Sequence, residues 1–198
     1  MKDRKRNIKK NNITGLILGL AVIILVNVIA SFVFTRFDLT AERRYSISPA
    51  TKKLLKRLDD VVLFKVYLHG DLPPGFQRLS NETREMLDEF RAYSNNIQYE
   101  FIDPSDNPNA KDRNDAYALL VDRGLQPTDL RVRKKGESAQ IIIFPGALVS
   151  YHGRELPVQL LMIQLQQENP NTVLNNSIQN LEYNLASAIQ NLSTAIKP

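Results

Sequence analysis

Between Ile13 and Phe34 the chain runs for 22 residues without a charge, and most of them are Leu, Ile, Val or Ala. As a helix rising about 1.5 Å per residue, that run would extend roughly 33 Å, close to the thickness of a bilayer's hydrocarbon core. No other feature constrains the chain so strongly, and a transmembrane helix over 13–34 is expected. Ahead of it, residues 1–12 carry Lys2, Arg4, Lys5, Arg6, Lys9 and Lys10 against one acid, Asp3. Flanks rich in Lys and Arg stay cytoplasmic, so 1–12 reads as a basic cytoplasmic tail and the bulk of the chain as exported. The competing reading is a cleaved signal peptide, with Val28-Ile29-Ala30 as the small-residue site. The apolar stretch is longer than an ordinary signal core and continues through Phe32-Val33-Phe34, which favours an anchor.

The tail also accounts for the charge. The whole chain has 26 basic and 21 acidic residues, a net +5, and residues 1–12 alone contribute all of that excess. Beyond them the signs balance. A basic tail beside an apolar helix fits contact with anionic membrane lipid. No basic stripe with interleaved aromatics is left to bind nucleic acid, so nucleic acid is not expected as a partner. The absence of cysteine rules out disulfides, thiolate metal sites and CxxC redox chemistry.

The remainder, 35–163, reads as an α/β domain. Ser48-Pro49 has the form of an N-cap followed by proline at the first helical position, opening a helix to about Leu58. Val61 to Leu68 is a near-continuous apolar run, as in a strand covered on both faces. From Phe76 to Ser94, Leu79, Thr83, Met86, Leu87, Phe90 and Tyr93 recur at helical spacing. Ile97, Tyr99 and Phe101 then alternate as one face of a strand. Strand, helix, strand in this span is a βαβ unit. A helix from Ala110 to Asp122 follows, then a hairpin (130–133 with 139–144), and a further piece (147–151) that turns at His152-Gly153 and runs to Pro157. The expected fold is a mixed-sheet domain in thioredoxin-like element order, without a redox motif. Residues 164–172 look like a linker. Over 173–198 a single amphipathic helix is expected, with Leu174, Ile178, Leu181, Leu185, Ala188, Leu192 and Ala195 forming a seam. That seam either docks back on this domain or opens a second, truncated one, and the latter is the expectation.

Catalytic and cofactor motifs are missing. The eight glycines form no Walker loop, dinucleotide fingerprint or nucleophile elbow, so no enzyme activity, cofactor or metal is expected. Gly15 and Gly19 make a G-x-x-x-G pair, and Asn27 lies further along the same apolar run; together they are candidates for helix–helix packing in a membrane. Near the predicted strand ends, His69, Asp71, Asp103 and Asp106 are candidate ligand-cleft residues, because open α/β sheets bind beyond the carboxyl ends of their strands. Turn formation explains the same residues without any ligand: both histidines, His69 and His152, precede a glycine, and D-P-S-D-N-P is ordinary turn and cap chemistry.

Four segments carry a family resemblance: R-R-Y-S-I-S-P-A-T (43–51), Y-E-F-I-D-P (99–104), I-I-I-F-P-G-A-L-V-S-Y (141–151) and L-N-N-S-I-Q-N-L-E-Y-N-L (174–185). In order and spacing they resemble the GldG family, the gliding-motility-associated auxiliary or "substrate-binding" component of an ABC transporter in gliding Bacteroidetes. The resemblance implies an inner-membrane protein with a periplasmic α/β region and a later second membrane helix, so that this chain would correspond to the N-terminal portion. It also implies an ABC permease as partner and, through it, a cytoplasmic ATPase, and it supplies no catalytic residues. The expected function is therefore a membrane-anchored, non-enzymatic periplasmic accessory subunit of such a complex. The alternative is a periplasmic receptor domain that binds a peptide or glycan.

Overall fold

A computed structural model of the chain describes residues 18–25, 47–134, 137–162 and 169–194, and of 132–134 and 137–138 the backbone only. Two compact units divide the chain, residues 1–44 and 45–198. Of the first, a helix α1 is described over residues 18–25.

The transmembrane helix expected over 13–34 is not supported. Among the described residues, no helix is long and apolar enough to cross a membrane. The single-pass inner-membrane localisation and the periplasmic placement rested on that helix and fall with it. The rest of 13–34, Gly15 and Asn27 included, lies outside the described residues, as does the tail 1–12.

The second unit is a mixed α/β domain. Its first helix, α2 (Pro49–Leu55), starts where the sequence indicates: Ser48 Oγ accepts the Thr51 N–H at 3.2 Å, and Pro49 takes the first helical position. It stops at Leu55, three residues before the expected end. β1 (Val62–Val66), α3 (Pro74–Tyr93) and β2 (Ile97–Phe101) form the βαβ unit, with β1 and β2 parallel from Val62↔Ile97 to Val66↔Phe101. The helical spacing in α3 buries Phe76, Leu79, Thr83, Leu87 and Phe90. α4 (Ala110–Asp122) follows, capped by Asn109, whose side chain accepts from the Lys111 N–H.

The expected single mixed sheet is in fact two. β3 (Thr128–Lys134) and β4 (Glu137–Ile143) pair only with each other, while β5 (Gly146–Tyr151) and β6 (Arg154–Gln159) complete a four-stranded sheet in the order β2-β1-β5-β6. β5 runs antiparallel to both β1 and β6. The break falls at Phe144-Pro145. Proline has no N–H to give a ladder, and the Pro145 carbonyl is taken by the Leu160 N–H at 2.9 Å. His152 (φ +49) and Gly153 (φ +72) turn β5 into β6; two positive φ values in a two-residue loop suit the right-handed twist of the strands.

The faces of this sheet differ. Val62, Phe64, Val66, Ala147, Val149 and Val158 are buried in the main core, which α2, α3 and the last two helices complete. On β1 the opposite side chains, Leu63 and Lys65, are only half-buried, so the expected cover on both faces is met on one. Leu148 on that second face belongs to a small separate cluster with Leu120, Leu125 and Phe144.

The expected terminal helix is two. α5 (Pro170–Gln179) begins inside the stretch read as a linker, capped by Asn169, and α6 (Leu181–Thr194) follows a break at Asn180. Residues 163–168 lie outside the described set. At the break the Asn176 carbonyl accepts both the Asn180 N–H at 3.1 Å and Asn180 Nδ2 at 2.8 Å. The apolar seam is covered within the same unit, since Leu174, Leu181, Leu185, Ala188 and Leu192 are all buried in the main core. Docking back, the other of the two alternatives, is what the structure contains.

Candidate functional site

At the carboxyl ends of the parallel strands β1 and β2 the chain opens a cleft of about 450 Å³. Ligand pockets commonly fall in this size range, and strand ends in open α/β sheets are their usual place. The turn after β1 supplies His69, Asp71 and Leu72, and the loop after β2 supplies Asp103, Pro104 and Ser105. α4 contributes Arg113, Asn114 and Tyr117, and four consecutive residues of β4, Gln140 to Ile143, close the far side.

The two loops are fitted to each other by a missing side chain. Gly70 has φ +98, and a Cβ there would lie 1.9 Å from Asp103 Oδ2. Only glycine meets both demands, since positive φ is costly for other residues and the space is already filled. Asp103 is fixed from its other oxygen: Oδ1 accepts the Ser105 N–H at 2.8 Å and the Ser105 hydroxyl at 2.6 Å. This Asx-turn positions a carboxylate at the cleft wall. Arg113 Nη1 donates to the Asn107 carbonyl at 2.8 Å, which holds that cation towards the same loop.

Aromatic rings form the remaining wall. Tyr117 packs on Phe144 with ring centroids 5.3 Å apart, and the His69 ring meets the edge of Phe101 at 6.3 Å. Burial raises the Tyr117 phenol above its ordinary pKa, with Arg113 acting against and Asp103 with the shift. Burial is also the main cause that raises Tyr67, another lining residue. Both phenols are therefore neutral donors at pH 7. Among the described residues no group of three or more His, Asp or Glu side chains is arranged to hold a metal ion. The cleft offers hydrogen bonds, charge and aromatic surface.

Of the residues singled out from sequence, the structure brings His69, Asp71 and Asp103 into this one cleft. Asp106 is not part of its lining; it is exposed, and its N–H donates to the Asp103 carbonyl at 3.3 Å, as a turn residue does. Gly19 lies in α1 with nothing within 4 Å of where its Cβ would be. Gly15 and Asn27 are outside the described residues. Sequence reasoning missed Tyr67, Arg113, Asn114, Tyr117 and Gln140. A signal did exist in α4: Arg113, Tyr117 and Leu120 share one face at helical spacing, and with Ala116 they are the half-buried and buried positions of a mostly exposed helix.

No curated protein matches the chain, and no solved structure matches it. A family model does, the domain of unknown function DUF7088, over residues 41–150. That span runs from α2 to β5 and contains every residue of the cleft, while α5 and α6 lie beyond it. It covers more than half of the 198 residues, and the chain belongs to the DUF7088 family.

Proposed function

We propose that this domain is a non-enzymatic accessory subunit of an ABC-type transporter complex linked to gliding motility, partnered with a permease and, through it, an ATPase. The reading rests on the resemblance, whose four segments lie close together in the fold. The first and last join where Glu182 Oε1 accepts the Ser48 N–H at 2.8 Å and the Thr51 hydroxyl at 2.6 Å. The second and third meet at the cleft, through Asp103 and Pro104 on one side and Ile141 to Ile143 on the other. The test is affinity purification of the full chain after mild cross-linking in its own cells. A permease and a nucleotide-binding subunit should be enriched together; recovery of neither sinks the proposal.

A second reading is a receptor domain that takes a ligand in the cleft. It is favoured by the convergence of His69, Asp71 and Asp103 with Arg113 and two tyrosines around one opening. Binding to the folded state alone raises stability. A ligand-dependent rise in Tm for the wild-type chain, absent in a variant with the cleft filled, is the expected result.

A further inference from the structure

The β3–β4 hairpin has seven register pairs, from Thr128↔Ile143 to Lys134↔Glu137, and neither strand joins the larger sheet. Each strand therefore keeps one backbone edge outside any ladder. On β4 that edge borders the cleft. Successive side chains of a strand point to opposite faces, so a cleft lined by Gln140, Ile141, Ile142 and Ile143 together meets the ribbon along its edge. The ladder fixes which groups face outward. Lys134 and Glu137 flank a two-residue turn and form the closing hydrogen-bonded pair, and the antiparallel alternation then directs the N–H and C=O of Gln140 and Ile142 away from β3. Among the described residues these outward groups make no other backbone hydrogen bond.

We propose that the cleft takes an extended peptide segment of a partner protein, added as a strand to the β4 edge, with a Lys or Arg side chain directed at Asp103. The inference rests on the receptor reading above and chooses its ligand class. Outward N–H and C=O pairs two residues apart repeat about every 7 Å, the repeat of an extended peptide's own backbone. An oligosaccharide has no matching row of donors and acceptors. Exposed strand edges are templates for such pairing, with affinity from the main chain and selection from pockets for alternate side chains. The cleft has such pockets: a carboxylate held by Ser105 for a cation, and the Tyr67 and Tyr117 rings for an apolar neighbour. Among the described lining residues Arg113 is the one Lys or Arg, and its bond to Asn107 draws it to the loop side.

Amide hydrogen exchange on the full chain tests this with three probes. One is a pool of octapeptides carrying Lys at a central position and Val, Ile or Thr at alternate positions. The second is the same pool N-methylated at every other residue, made in both registers. The third is a pool of di- to tetrasaccharides. The peptide pool should slow exchange at Gln140 and Ile142 by about tenfold or more, and N-methylation in one register should abolish the effect. Asp103→Asn keeps the acceptor for Ser105 and should weaken peptide binding about tenfold, the loss expected for a charge-assisted hydrogen bond. Unchanged exchange at Gln140 and Ile142 with the peptide pool overturns the inference. If the saccharides then protect 103–105 and 113–117, the receptor reading survives with a glycan ligand. If no probe protects any part of the cleft, both fall.

Discussion

The two faces of the four-stranded sheet are built from the same strands and packed to different depths. Under α2, α3, α5 and α6, one face buries Phe64, Val66, Val149 and more than a dozen partners in a continuous core. The other face has four fully buried residues, Leu120, Leu125, Phe144 and Leu148, with Tyr67 and Tyr117 against them. α4 contributes only Leu120 to that cluster as a buried residue, and Leu119 and Val121 are each 50% exposed. The cleft opens on the thin side. A rigid scaffold on one face and lightly held binding elements on the other is the division expected where local opening has to be inexpensive.

Two phenylalanines of equal burial test that division, and they carry the largest effect. Phe64 and Phe144 are 0% and 1% exposed, one in each cluster. Truncating a buried phenylalanine costs about 3–5 kcal/mol where the surroundings cannot collapse. Phe64→Ala should reach that range in urea unfolding. Phe144→Ala should fall clearly below it, because a four-residue cluster under one helix can close over the gap. Amide exchange should then show faster opening of α4 while β1 and β5 stay protected. Equal losses from the two variants would mean that the faces form one cooperative core.

A pair of glycines sharpens the same contrast at the two ends of the sheet. Gly70 and Gly153 both have positive φ, +98 and +72. Beside Gly153 there is open space, whereas a Cβ on Gly70 would collide with Asp103. Gly153→Ala should cost about 1 kcal/mol, the backbone term alone. Gly70→Ala should cost about 3 kcal/mol, since overpacking adds to that term, and it should also displace Asp103 from Ser105. Carbon chemical shifts of the Asp103 carboxylate read the displacement directly. If both variants cost the same, the two loops move apart more easily than their contact suggests.

Much of the thick face was legible in the sequence and little of the thin one. Helical spacing in α3, alternation in β2 and the Ser48-Pro49 cap are local signals, and each is found at its place. The assignment of β3–β4 to a sheet of its own depends on Pro145 and on where the Pro145 carbonyl bonds, which no periodicity reveals. The break at Asn180 falls within an apolar seam that continues on both sides of it, so periodicity does not show it. The long apolar run over 13–34 suggested a span by its length, but among the described residues no helix is long and apolar enough to cross a membrane. In the cleft, the turn residues His69, Asp71 and Asp103 announced themselves through Gly, Pro and Asp punctuation. Arg113 and Tyr117 did not, because a polar helix shows its inward face only once something is known to pack there.

On the thick face, Glu182 offers a smaller perturbation. Its carboxylate accepts from Ser48 and Thr51 at the start of α2 and so ties that helix to α6. Loss of hydrogen bonds to a charged group costs about 2 kcal/mol, and Glu182→Ala should show that loss by urea unfolding. Glu182→Gln, which retains an oxygen acceptor, should recover most of it. Failure of Gln to recover anything would assign the contribution to charge alone.

The smallest effect lies at the end of the sheet away from the cleft, and it depends on pH. Asp59 Oδ1 accepts a short hydrogen bond from the Tyr151 hydroxyl and lies 3.0 Å from His152 Nε2. The Tyr151 bond first, and the His152 bond second, hold the Asp59 carboxyl below its ordinary value of 3.8. A folded-state pKa below the unfolded one means the stabilisation is present above pH 4 or so. It disappears as pH falls through the lowered folded value, because protonation then removes the acceptor. Asp59 is 76% exposed, so water screens most of this contribution. Tyr151→Phe keeps the buried ring and deletes the leading cause. The Asp59 pKa, followed through its side-chain carbon, should therefore rise towards 3.8 without reaching it, since His152 remains. The acid-unfolding midpoint should move up slightly in the same variant. An unchanged Asp59 pKa in Tyr151→Phe would show that His152, on the β5–β6 turn, holds the carboxylate by itself.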